Sequence, residues 1–130
     1  MERSPEQILR ESKRIALVGA SQNPDRPSHG VMRYLLSQGF DVVPVNPSCD
    51  EVLGVPAVGS IAEVEPPIDL VDVFRRQDAA PGHAREAVAA GAKAFWLQLD
   101  LRSPEARRIC EEAGLDYVED ECTAIVHRRL

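Results

Sequence analysis

The chain has 130 residues, enough for one domain with a core that needs no disulfide or metal staple. Its formal net charge of −6 lacks the basic footprint that a nucleic acid or an anionic membrane surface requires. Cys49, Cys110 and Cys122 form no CxxC pair, the N-terminus is polar, and no apolar run approaches the ~20 residues of a membrane helix, so a soluble, cytoplasmic protein without a zinc site is expected.

Ser4-Pro5-Glu6-Gln7 reads as a helix start with a capping box, and that helix should fade near Ser12. Ile15-Ala16-Leu17-Val18 is a continuous apolar run of the kind a buried parallel strand shows, and it stops at Gly19. The polar stretch from Gln22 to Pro27 predicts a loop, Ser28 a helix cap, and Val31, Tyr34 and Leu35 the apolar stripe of a helix that ends at Gly39. Asp41–Val45 is the second strand, with Pro44 calling for a bulge or an edge-facing position. An irregular stretch from Glu51 to Gly59 leads into a second capping box, Ser60-Ile61-Ala62-Glu63, and a short helix. Ile68–Phe74 predicts the third strand, Ala80–Ala90 a helix stopped by Gly91, and Ala94–Leu97 the fourth strand. Ser103-Pro104-Glu105 opens a helix that Gly114 closes, Tyr117-Val118 is a short fifth strand, and the tail from Glu121 is helical. Strand and helix thus alternate throughout residues 1–130, which predicts a single α/β domain with a parallel sheet covered on both faces.

In such sheets ligands bind beyond the carboxyl ends of the strands, so the turn after the first strand is the prime position. Gly19, Ala20 and Ser21 are small and allow close backbone approach, and the following helix should turn its free N–H groups toward an anion. The turn is neither G-x-G-x-x-G, since no glycine follows Gly19 until Gly30, nor a Walker A loop. At the end of the second strand, where a nicotinamide dinucleotide site carries an acid for the ribose, this chain has Asn46-Pro47. Both features disfavour NAD and leave another adenine nucleotide.

Val18-Gly19-Ala20-Ser21, Arg26-Pro27-Ser28, Pro44-Val45-Asn46-Pro47, Asp72-Val73-Phe74-Arg75 and Trp96-Leu97-Gln98 follow one another in an order that resembles the small stand-alone CoA-binding proteins. These are similar to the CoA-binding domain of the succinyl-CoA synthetase alpha subunit and of ADP-forming acyl-CoA synthetases. The resemblance runs from Ile8 to the tail. It implies a three-layer Rossmann-like sheet of about five strands in the order 3-2-1-4-5. It also implies coenzyme A or an acyl-CoA as ligand. On that resemblance Gly19, Ala20 and Ser21 line the diphosphate, with Arg26 and Ser28 facing phosphate groups. Asn46 and Pro47 lie against the nucleotide, and Val73, Phe74 and Arg75 wall the adenosine end. Trp96 and Gln98 flank the pantetheine path or close the site. Asp100 departs from the pattern, since relatives often carry glycine or a small residue near that point.

The residues assemble no Ser-His-Asp triad, HExxH motif or paired carboxylates. His29 sits beside Ser28 and reads as a polar residue of a first helical turn or a phosphate contact; His83 reads as solvated and His127 as packing or capping. Cys122 reads as a buried structural thiol, with a mixed disulfide to CoA as the alternative. The expected function is therefore CoA or acyl-CoA binding without catalysis. The alternatives are the CoA-binding subunit of a two-chain acyl-CoA synthetase and an NAD(P)-dependent Rossmann oxidoreductase. A homodimer or a synthetase-type partner chain is the expected macromolecular partner.

Overall fold

In the first helix, α1 (Pro5–Glu11), the Ser4 hydroxyl accepts the Gln7 amide and Pro5 fills the first turn, as the capping box requires. The structure, a computed structural model, describes residues 2–130. β1 (Arg14–Val18), α2 (Pro27–Ser37) and β2 (Asp41–Val45) follow. Then come the two-residue strands β3 (Glu51–Val52) and β4 (Val55–Pro56), a 3-10 turn at Ile61–Glu63, and β5 (Leu70–Val73). The chain finishes with α3 (Ala80–Ala89), β6 (Ala94–Leu97), α4 (Pro104–Ala113), β7 (Asp116–Val118) and α5 (Thr123–Arg128).

β1, β2, β5, β6 and β7 make one parallel sheet, in the order β2-β1-β5-β6-β7. This is Rossmann-like α/β architecture, but the expected order 3-2-1-4-5 needs correction. The third full strand, β5, lies inside the sheet against β1, and β2 is the edge. Every residue of β5 is buried, as a strand flanked on both sides must be. The place outside β2 is taken by a one-residue remnant. There Val58 donates its amide to the Pro44 carbonyl at 3.0 Å and accepts the Asn46 amide at 2.8 Å. Pro44 therefore faces outward on an edge strand, where its missing N–H leaves no ladder bond with β1 unmade.

Alternation along the strands splits the core into two layers. Ala16, Val18, Val71, Val73, Phe95 and Leu97 pack against α3 and α4, whose Ala80, Ala84, Ala87 and Ala106 let those helices lie close to the sheet. Ile15, Leu17, Leu70 and Trp96 face the other way, against Ile8 and Leu9 of α1, Met32 and Leu35 of α2, and Val126 of α5. Among the described residues no helix is long and apolar enough to cross a membrane.

Three local expectations change. α2 begins at Pro27, so Ser28 sits inside its first turn and Arg26 holds the cap position without a side-chain cap bond. Ser60 likewise makes no cap bond to the backbone; its hydroxyl donates to Glu63 Oε2 at 3.2 Å. The stretch read as irregular contains the β3–β4 hairpin, whose turn residues Leu53 and Gly54 both have positive φ, 52° and 79°.

Candidate functional site

The carboxyl end of β1 is clamped from both sides. Gly19 donates its amide to the Val45 carbonyl at 3.1 Å, and Phe74 donates to the Val18 carbonyl at 2.8 Å. Between them the chain turns through Gly19 at φ +86°, and a Cβ there would lie 2.8 Å from the Phe74 carbonyl oxygen. Two constraints thus converge on glycine: the left-handed backbone and the passage over β5.

Beyond Gly19, two carbonyls of the turn are held by side chains from different elements. Asn46 Nδ2 donates to the Ala20 carbonyl at 2.8 Å, and His29 Nδ1 donates to the Ser21 carbonyl at 2.9 Å. A carbonyl can only accept, so His29 Nδ1 carries the proton in this bond. In a trans peptide the N–H runs opposite to the C=O, so these two bonds also fix the directions of the Ser21 and Gln22 amides. Among the described residues neither amide has a protein acceptor, and nor does Ser28, in the first turn of α2. The side chain of Ser21 is used within the loop, accepting the Asn23 amide at 3.0 Å.

Of these residues, Ser21, Ser28, Ala20 and Asn46 border a cleft of about 310 Å³. Gly19, Ala20, Ser21 and Ser28 form one wall; Asn46, Phe74, Arg75 and Arg26 complete it. Both arginines are exposed, and neither takes part in an ion pair among the described residues. The amides at the start of an 11-residue helix, two uncommitted guanidiniums and the Ser28 hydroxyl suit a phosphate-bearing anion. Asn46 contributes no charge, and its side chain is spent internally: Oδ1 accepts the Ser48 amide at 2.7 Å while Nδ2 holds Ala20.

On the other side of Gly19 lies a second cavity of about 150 Å³, with Gly19 and Arg75 common to both. Pro47 borders this one. So do His83 of α3, which the sequence placed on a solvated face, and Glu86, to which the sequence reading gave no role; His83 Nδ1 donates to Glu86 Oε1 at 2.8 Å. Their i,i+3 spacing on one helix face was the available signal.

The remaining expected site residues lie elsewhere. Val73 is fully buried against α3 and α4. Trp96, expected along the pantetheine path, is wholly inside the other core layer, its Nε1 donating to the Glu121 carbonyl at 2.8 Å. Gln98 belongs to a buried polar trio: its Nε2 donates to Asp72 Oδ1 and, at 3.0 Å, to Thr123 Oγ1, which itself donates to Asp72 Oδ2 at 3.0 Å. Burial pushes the Asp72 carboxyl up to about 7, against the pull of its two hydrogen bonds. Asp72 stands alone among apolar residues in β5, which was the sequence signal for it. Cys122 is buried at the start of α5 and borders neither cavity. Asp100 also lies apart from them, at φ +70°, in the left-handed region that glycine favours.

A family model described as a CoA binding domain matches residues 13–128. The chain belongs to the CoA-binding domain family. Within it, an uncharacterized protein of Bacillus subtilis, YneT, is 45% identical over 93% of this chain and 90% of its own length. A hypothetical protein from Pyrococcus horikoshii OT3, of solved structure, superposes with a TM-score of 0.93 at 39% identity, covering 98% of this chain and 92% of that one. The ADP-forming acetate–CoA ligase of Methanocaldococcus jannaschii is 28% identical over 62% of this chain, a stretch that makes up 12% of the ligase. This CoA-binding domain thus matches only a small part of that much larger relative.

Proposed function

We propose that this protein binds coenzyme A or an acyl-CoA in the cleft beside Gly19 and carries out no chemistry of its own. The observation that carries the reading is the pair of unpartnered amides at Ser21 and Ser28, in a cleft also bordered by two arginines without acidic partners. A diphosphate supplies the acceptors these donors lack. Ser28 and Arg26 then act on the phosphates, and Phe74 with Arg75 bounds the nucleoside end. The family membership supports CoA over NAD, as does Asn46 at the position where a dinucleotide site carries an acid.

The test is a thermal-shift panel with CoA, acetyl-CoA, NAD and NADP, followed by titration calorimetry. CoA or acetyl-CoA is expected to stabilise the protein and the dinucleotides to leave it unchanged. Arg26→Ala is expected to weaken binding about tenfold, the order of one charge-assisted hydrogen bond, with an unchanged melting temperature. Stabilisation by NAD alone would defeat the proposal. The match to part of an acetate–CoA ligase supports a second reading, in which a separate chain supplies catalysis to the CoA-loaded protein. Co-purification of a ligase-type partner from the native cell would favour it, and a monodisperse single species would count against it.

A further inference from the structure

A turn that binds an anion through its backbone must present N–H groups and keep its carbonyl oxygens turned away. Ala20, Ser21 and Asn46 all border the cleft, and Asn46 holds the peptide that joins Ala20 to Ser21 through the 2.8 Å bond from Nδ2 to the Ala20 carbonyl. The Ser21 amide, on the other side of that peptide, has no protein acceptor among the described residues. The orientation of the Asn46 side chain is itself forced. The Ser48 amide only donates and takes Oδ1 at 2.7 Å, while the Ala20 carbonyl only accepts and takes Nδ2. The backbone of Asn46 is anchored as well, its amide donating to the Val58 carbonyl at 2.8 Å. This half-buried side chain thus has one donor and one acceptor, both matched. An ionised carboxylate of the same shape has acceptors only.

We infer that Asn46 is a positioning residue that holds the Ala20 carbonyl away from the ligand and so presents the Ser21 amide, and that an acid at this position is incompatible with phosphate binding by this turn. In Asn46→Asp one carboxylate oxygen still accepts the Ser48 amide. The other meets the Ala20 carbonyl oxygen with no proton between them. The peptide shifts to relieve that contact, and because it is planar the Ser21 N–H moves with it. The strand-end acid with which a dinucleotide site holds a ribose and the donor that this turn needs therefore compete for one position. The inference rests on the proposed CoA-binding function and adds to it the residue that orients the turn.

The experiment measures CoA affinity by calorimetric titration from about pH 8 down to about pH 5.5, each variant being compared with the native protein at the same pH so that titration of the ligand cancels. Asn46→Ala and Asn46→Leu have neither donor nor charge. They are expected to bind about tenfold more weakly than the native protein throughout, the scale of one lost hydrogen bond to a charged group. Asn46→Asp is expected to lose more than that at the alkaline end and to regain at least about fivefold, relative to the native protein, as the pH falls. Its protonated carboxyl again offers an acceptor to Ser48 and an O–H to Ala20. Arg26 and Arg75, the charged residues bordering the cleft, favour the ionised form in the empty site, so CoA binding to this variant takes up a proton. Melting curves verify the fold, and two neutral variants of different size keep the test alive if one of them does not fold. Native affinity in the neutral variants overturns the inference, since repulsion by the added charge then accounts for Asn46→Asp. So does native affinity in Asn46→Asp at the alkaline end, or a loss in it that is the same at every pH. In each of these cases CoA binding by the native protein stands, whereas a native protein that does not bind CoA removes the proposed function itself.

Discussion

Gly19 carries two demands in one residue, a φ of +86° and a Cβ position 2.8 Å from the Phe74 carbonyl oxygen. Gly19→Ala is expected to cost about 2 to 4 kcal/mol from the left-handed penalty and the forced shift of β5, measured by urea unfolding. Any larger side chain at this position therefore tests folding as much as binding, and Arg26 is the cleaner probe of the cleft. Asp72 sets a second residue-scale expectation. Its ordinary carboxyl value of 3.8 rises to about 7 in the fold. Between those values the unfolded carboxyl is ionised while the folded one keeps its proton, so the contribution of Asp72 to stability falls as pH rises across that window and levels off above it. Asp72→Asn mimics the protonated group, with an oxygen for Gln98 and an N–H for Thr123. Its melting temperature should fall less than that of the native protein between pH 5 and pH 8; an equal fall in both proteins contradicts the assignment. The turn residues of the cleft were legible because small residues after an apolar run have few other uses. Trp96 and Gln98 were not, because their position in the chain marks the end of β6 without saying which layer each side chain enters. Trp96 points into the layer with α1, α2 and α5, and Gln98 is drawn to Asp72 and Thr123.

At the scale of elements, capping chemistry located helices best where a side chain could reach the backbone. Ser4 and Ser103 each accept an amide three residues on, and Gly114, at φ +82°, ends α4. The same logic misplaced the start of α2, because Pro27 begins that helix without a side-chain cap and leaves Ser28 to border the cleft. The β3–β4 hairpin escaped notice because its strands are two residues each and its turn is Leu53-Gly54. Positive φ at both turn residues suits Asn-Gly, and an exposed leucine at φ 52° is strained. Leu53→Asn should therefore raise stability by about 0.5 to 1.5 kcal/mol without altering ligand affinity, read from paired urea melts and calorimetric titrations.

For the whole molecule, alternation of strand and helix was enough to predict a parallel sheet with two covered faces. It could not order the strands, because a crossover of any length satisfies the same alternation. What separates the observed order from 3-2-1-4-5 is that the segment outside β2 pairs through Val58 alone, while the apolar Leu70–Val73 takes an interior place. With the cleft spanning the ends of β1, β2 and β5, ligand binding should stabilise the domain as a unit. At a CoA concentration 100 times its dissociation constant the gain is about 2.7 kcal/mol, a rise of roughly 8 to 14 °C in the melting temperature of a domain this size. A rise that fails to grow with the logarithm of CoA concentration would argue against specific binding to the native state.

The buried trio also makes unfolding an acid-releasing reaction. Near pH 5.5 the folded Asp72 holds its proton and the unfolded one does not, so each molecule that melts gives up nearly one proton to its surroundings. The heat of melting recorded by a calorimeter then includes the heat of protonating the buffer. Measured in acetate and in histidine at that pH, at matched ionic strength, the apparent unfolding enthalpies should differ in proportion to the buffers' ionisation enthalpies. In Asp72→Asn the difference should shrink by close to one proton's share.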